Sequence, residues 1–148
     1  MGTTIRQGSP SDAAAITELT RELGYNANAG EMAARLARLV LSPDQLIIVA
    51  EVDSHAVVGW LQAQAAEVVE SGYRVEILGL VVSEQHRRLG LGRLLVQHSE
   101  GWAMARGAKV MVVRSNVRRM ESHEFYPALG FKLAKTQKVY RKEFATVV

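Results

Sequence analysis

The stretch Val81-Val82-Ser83-Glu84-Gln85-His86-Arg87-Arg88-Leu89-Gly90-Leu91-Gly92-Arg93 constrains this chain more than any other part of it. An apolar run suited to a strand gives way to a basic turn with two glycines, and the leucines of a helix follow. The first N–H groups of any helix lack intrahelical partners and carry partial positive charge. A strand-to-helix turn of this composition is therefore a ready anion site. Glycine at 90 and 92 removes the Cβ that would hold a phosphate away from the amides. Arg87, Arg88 and Arg93 add positive charge around the mouth. The spacing of the glycines alone also fits an ordinary turn. Position 95 is Leu, so the third glycine of the dinucleotide fingerprint is missing, and the Gly-Lys-Ser/Thr of a P-loop is absent.

The rest of the composition bounds the setting of that turn. The 148 residues, 48% apolar and 22% charged, suit one globular domain with a real core. No apolar run approaches the roughly 20 residues of a membrane span, and Met1-Gly2-Thr3-Thr4-Ile5-Arg6 has no apolar targeting segment. With no cysteine, disulfides, thiolate nucleophiles and cysteine-based zinc sites are excluded. A cytoplasmic location is the expectation. Charge is unevenly spread: residues 85–119 hold eight Lys/Arg and a single acid, Glu100, although the whole chain is only +3. A basic segment in a mildly acidic body points either to an anionic ligand or to solvated helix faces.

Periodicity orders the remaining elements. Residues 5–7 read as a short strand. Ser9-Pro10-Ser11-Asp12 has the cap, proline and acid of a helix start, and Ile16, Leu19 and Leu23 follow at helical spacing before Gly24. A second helix opens at Asn28 with Glu31 three residues later. Residues 46–50, 57–65 and 73–82 read as strands of an antiparallel meander. A helix over 91–106 presents Leu91, Leu94, Leu95 and Trp102 on one face, with His98 at the core edge. Residues 109–114 form a strand, 118–129 a short helix ended by Gly130, and 131–144 two last strands. The helix between the strands at 73–82 and 109–114 requires a parallel crossover, so the sheet is mixed.

Arg87-Arg88-Leu89-Gly90-Leu91-Gly92 is similar to the Q/R-x-x-G-x-G/A hallmark of the GNAT superfamily of N-acetyltransferases. A second segment, from Asn116 through Phe125-Tyr126 to Gly130-Phe131, resembles that family's late motif, and the two occur in the family's order. The resemblance implies an α/β (α+β) fold, a mixed and mostly antiparallel sheet of about seven strands flanked by about four helices, in one domain over residues 1–148. It implies acetyl-CoA as co-substrate, with its pyrophosphate on Arg87, Arg88, Leu89, Gly90, Leu91 and Gly92 and Arg93 beside them. Leu80, Val81 and Val82 would pair with the pantetheine arm through their backbones, as an added strand does. Asn116 and Arg119 would lie near the cofactor.

Acyl transfer from a thioester to an amine needs a neutral amine, a donor for the carbonyl oxygen and often a proton for the leaving sulfur. Tyr126 matches the family tyrosine near that sulfur. A phenol is protonated at neutral pH, so proton donation is feasible in direction; the other reading is that Tyr126 and Phe125 anchor the short helix. Glu76, a lone acid in an apolar strand, matches the position of a general base in some members. Pairing with Arg74 or with a neighbouring strand, or exposure to solvent, are the competing readings. The amide near Leu80 is the oxyanion donor. Asn116 also suits a helix cap.

The acceptor side in the family is lined by the loop between the first two helices and by the hairpin before the long strand. Tyr25, Glu67, Glu70 and Glu76 are thus candidate acceptor contacts, and acids there suit a cationic amine of a small molecule or peptide. A homodimer is a further implication. The four histidines form no ligand cluster, and no metal site is expected. Nucleic-acid binding, the rival for the basic window, lacks a recognised motif. A non-catalytic acyl-CoA sensor of the same fold is the second rival.

Overall fold

The computed structural model describes residues 2–53, 55–115 and 120–145. Two compact units make up the chain, residues 1–114 and 115–148.

In the first unit the chain opens with strand β1 (Thr3–Gln7), makes a 3-10 turn at Pro10–Asp12 and enters helix α1 (Ala13–Glu22). Helix α2 (Ala29–Leu39) follows, capped by the Asn28 side chain, which accepts from the Glu31 N–H at 3.1 Å. Three long strands come next: β2 (Gln45–Val52), β3 (Ala56–Val68) and β4 (Gly72–Val82). Helix α3 (Leu91–Ala105) and the short strand β5 (Met111–Val113) complete the unit. The sheet runs β1-β2-β3-β4-β5. Its first three pairings are antiparallel and β4–β5 is parallel, as the helical crossover requires.

Period-2 patterning divides the two faces of the sheet. Leu61, Ala63, Val75 and Ile77 are buried on one, and an added Cβ at Gly59 would reach Leu95 of α3 at 3.4 Å, which places α3 on that side. Ile47 and Val49 of the other face pack in one cluster with Ala13 and Ile16 of α1 and Met32 and Leu36 of α2, and Trp60 packs against them. Each fully buried aliphatic side chain in such a cluster contributes about 1.5–3 kcal/mol relative to an exposed one. The 3-10 turn is tied to β1 by Arg6, whose guanidinium donates to both Asp12 carboxylate oxygens at 2.8 and 3.0 Å and to Glu51 at 2.8 Å. That bridge, first through its hydrogen bonds, holds the Asp12 carboxyl below the usual carboxylate range and raises Arg6.

In the second unit helix α4 (Met120–Ala128) ends at Gly130, whose φ of 94° only glycine adopts freely. Phe131 N–H closes the end by donating to the Tyr126 carbonyl at 3.1 Å. The Tyr126 ring packs edge-on against Phe125 and Phe131, with centroids 5.0 and 5.7 Å apart.

Two sequence expectations need correction. Residues 131–145 carry no regular secondary structure, so the sheet has five strands among the described residues and not seven. The apolar positions that read as strand, Leu133, Val139, Tyr140 and Phe144, are each at least 86% exposed. A strand forms only where a ladder partner takes its backbone groups, and none does so among the described residues. His98 is exposed rather than at the core edge, because α3 turns Leu91, Leu95, Val96, Ser99 and Ala103 inward and leaves Leu94 at 37% exposure.

Candidate functional site

The glycine turn lies where the sequence placed it, between β4 and α3. After a 3-10 turn at Glu84–His86 the chain adopts positive φ at Arg88 (66°) and again at Gly90 (79°), the N-cap of α3. Positive φ on an arginine is unusual and costs backbone energy, and such outliers cluster at ligand sites. No side chain caps the helix, and its first turn contains no acid. Leu94 donates the first intrahelical bond, to the Gly90 carbonyl at 3.1 Å. The N–H groups of Leu91, Gly92 and Arg93 are thus the unpartnered donors of a helix start. Arg87, Arg88, Leu89 and Arg93 are exposed around them. Uncapped amides, no competing carboxylate in the turn and three guanidinium groups at its mouth fit a diphosphate.

β4 supplies the second component. Gln62 pairs with Gly79 and Ala63 with Ile77, so Leu78 is an extra residue bulged out of the ladder, 45% exposed. β5 accompanies β4 only over Val75, Glu76 and Ile77. Beyond the bulge, β4 has β3 on one side and, among the described residues, no further strand of the sheet on the other. The direction of its backbone groups follows from Ser83, which donates to the Val58 carbonyl at 2.8 Å. By antiparallel alternation Val81 faces β3, whereas the N–H and C=O groups of Leu80 and Val82 face the open edge. Arg87 Nε reaches the Val82 carbonyl there at 3.3 Å, which links the open edge to the turn.

Glu76 projects from β4 on the α1/α2 face, opposite Gln64. Its carboxylate is 17% exposed, accepts from Arg114 Nη1 and lies 3.7 Å from Arg74 Nη2. It is therefore bridged by two guanidinium groups. Arg74 and a neighbouring strand were both among the sequence alternatives, and the structure identifies the second as Arg114, 38 residues away, after β5.

The expected acceptor residues are spread along the rim of the first unit. Tyr25 is 60% exposed in the α1–α2 loop, Glu67 is exposed near the end of β3, and Glu70 is exposed in the turn that follows. Tyr126 lies in the second unit, half-buried in the aromatic stack. Asn116 and Arg119 lie outside the described residues. Sequence reasoning missed a pocket of about 130 Å³ between α1, α2 and the α1/α2 face of the sheet, with Arg35, Trp60 and Gln62 among its lining. The signal available was Trp60 and Gln62, polar-capable residues at alternate positions of an otherwise apolar strand. Among the described residues, no helix is long and apolar enough to cross a membrane and no group of three or more His, Asp or Glu side chains is placed to hold a metal ion.

Comparison with known proteins agrees with this geometry. The sequence model of the Acetyltransferase (GNAT) family matches residues 13–131. A rice protein (Oryza sativa subsp. japonica), acetyl transferase GW6a, is 38% identical over 85 residues, which is 50% of this chain and 20% of that protein. The chain thus spans about a fifth of the length of that relative. The crystal structure of the aminoglycoside antibiotic 6'-N-acetyltransferase AAC(6')-Ih from Acinetobacter baumannii superposes with a TM-score of 0.84 at 20% identity, covering 97% of this chain and 100% of that one. AAC(6')-Iy, solved with a bisubstrate analog of CoA and acetylneamine, gives a TM-score of 0.85 at 19% identity, over 97% and 99% of the two chains. A transcriptional regulator from Bacillus halodurans C-125 gives 0.86 at 20%, over 95% and 100%. At these identities the solved structures speak for the fold alone, and the family rests on the sequence match: this chain belongs to the GNAT family of acetyltransferases.

Proposed function

We propose that this chain transfers an acetyl group from acetyl-CoA to a primary amine of a small molecule or peptide, by direct attack on the thioester. The observation that carries the reading is the continuity of the uncapped α3 start with the open edge of β4 beyond the Leu78 bulge. The unpartnered amides of Leu91, Gly92 and Arg93, with Arg87 and Arg88, bind the pyrophosphate. Leu80 and Val82 take the pantetheine arm as a short added strand, with Val81 holding the ladder to β3 behind them. The Leu80 N–H stabilises the developing oxyanion, an interaction worth several kcal/mol in such sites (about 3–4).

Glu76 receives the amine's proton, directly or through water, and its two arginine bridges hold the carboxylate in place. Tyr126 gives a proton to the departing sulfur, which its phenol can do at neutral pH. Asn116 and Arg119 add cofactor contacts. Tyr25, Glu67 and Glu70 line the approach of the amine. Residues 1–148 act as one acetyltransferase domain, the exposed apolar residues of 131–145 serve pairing of two copies, and the protein works in the cytoplasm.

The reading is supported by the family membership and by the fit of the turn to a diphosphate. Its test is release of free CoA thiol from acetyl-CoA across a panel of primary amines with the purified protein. Thiol release that requires both an amine and an intact Tyr126 is the expected result. Tight acetyl-CoA binding with no amine-dependent release from any acceptor would replace it with the acyl-CoA sensor.

A further inference from the structure

The pocket between α1, α2 and β3 has a chemistry of its own. Ile16, Met32 and Leu36, all buried, form its apolar floor. Arg35, Trp60 and Gln62 line it as well, and no carboxylate among the described residues does. The Trp60 Nε1–H is buried with no hydrogen bond among the described residues, and a buried unmade donor is costly to leave so. Arg35 is exposed and has no hydrogen bond or ion pair with any described residue. The Gln62 amide is already committed, donating to Gln45 at 2.8 Å.

The indole also ties this pocket to the strand that carries the reaction. An added Cβ on Gly79 would lie 2.5 Å from Trp60 Cη2 and 2.7 Å from Cζ3, so the ring rests directly on the Gly79 backbone. Gly79 stands between the Leu78 bulge and Leu80. One edge of Trp60 therefore abuts the segment proposed to hold the thioester carbonyl, while the ring itself walls the pocket.

We propose that this pocket selects the acceptor: it takes the body of an amine that carries an apolar group and a carboxylate, as an apolar amino acid or the start of a short peptide does, and it disfavours polycationic amines. The inference rests on the acetyl-transfer reading and names its substrate class. The volume of about 130 Å³ accepts a branched aliphatic or ring-sized group, since a dry apolar cavity of about 150 Å³ binds benzene. The carboxylate answers Arg35, the cation of the lining that has no partner among the described residues. A polycation would place extra positive charge beside Arg35 with no acid in the pocket to balance it.

The experiment has two arms on the same protein. In the first, binding of phenylacetate and of leucine is titrated by calorimetry without acetyl-CoA, for the wild type and Arg35→Ala. Thermal melts and circular dichroism establish that the variant is folded. In the second, thiol release from acetyl-CoA is measured with leucine, phenylalanine, leucinamide and spermidine. The expected result is carboxylate binding weakened about threefold to tenfold by Arg35→Ala. A matching rise in KM for leucine and phenylalanine, and little change for leucinamide, should accompany it. Spermidine should be the poorest acceptor. Carboxylate binding that depends on Arg35 without thiol release from any amine would uphold the pocket and overturn the transferase reading. Thiol release best with spermidine and indifferent to Arg35→Ala would overturn the pocket and leave the transferase reading standing.

Discussion

Gly79→Ala puts the relation between Trp60 and β4 under direct load. The new Cβ would fall 2.5 and 2.7 Å from two indole carbons, whereas carbon atoms pack at about 3.5–4.0 Å. The ring must therefore retreat by roughly 1 Å from a well-packed face. Gly79 is not among the positive-φ residues, so the cost is steric and not a matter of backbone strain. Forcing a methyl group into a filled core costs about 1–3 kcal/mol. At about 2–4 °C per kcal/mol for a chain of this size, the midpoint of thermal unfolding should fall by about 2–12 °C. Because the ring walls the pocket, KM for the amine should rise in the same variant. A double-mutant cycle isolates the contact: in a Trp60→Leu background the added methyl group finds room, and the coupling between the two changes should lie in the range of about 0.5–3 kcal/mol. Differential scanning calorimetry of the four proteins measures it. A Gly79→Ala midpoint within about 1 °C of the wild type, with strictly additive effects, would refute the packing of Trp60 on β4.

Three further outcomes follow from the same geometry. Asp12→Asn should destabilise the protein by about 1.5–3 kcal/mol near neutral pH, because it removes the charge from a buried hydrogen-bonded pair. Asp12 titrates below its unfolded value, so its stabilisation is complete above about pH 4 and disappears as pH falls through the folded-state value; a pH series of denaturant melts in which the variant tracks the wild type in acid and diverges above checks the sign. Gly90→Ala meets nothing within 4 Å, so its cost is the left-handed backbone alone, about 1–2 kcal/mol, with acetyl-CoA affinity falling as the turn relaxes; a full-strength titration would separate the two. Tyr126→Phe should lower kcat by about 100-fold while leaving acetyl-CoA binding intact, and normal turnover would remove Tyr126 from the chemistry.

The parts legible in the sequence were those specified locally. Asn28 with Glu31, Gly90 at the α3 start and Gly130 at the α4 end declare their helix ends through caps and positive φ. The meander of β2, β3 and β4 reads from apolar runs and turns. What escaped depends on contacts far apart in the chain. Arg114 reaches Glu76 across 38 positions because β5 lies parallel to β4, and no spacing rule encodes that. The Leu78 bulge shows only as a register change between Gly79–Gln62 and Ile77–Ala63, and Leu78 itself has no distinguishing side chain. Trp60 on Gly79 is likewise a matter of two strands meeting. The two missing strands show the converse: Leu133, Val139, Tyr140 and Phe144 have strand-like composition, but composition does not supply a partner ladder.

The central functional property of the turn before α3 is its capacity to hold a diphosphate. Isothermal titration of acetyl-CoA into the wild type and Gly92→Asp measures this most directly. Gly92 lies in the uncapped first turn of α3, and a carboxylate there sets negative charge and bulk against the phosphates. A penalty of 1.4 kcal/mol or more, well within what like charges cost near a protein surface, amounts to about a tenfold loss of affinity or greater. Loss of that size in a folded variant, with the 3'-phospho-ADP fragment weakened in parallel, is the expected result. Equal affinity of both proteins for acetyl-CoA would contradict it.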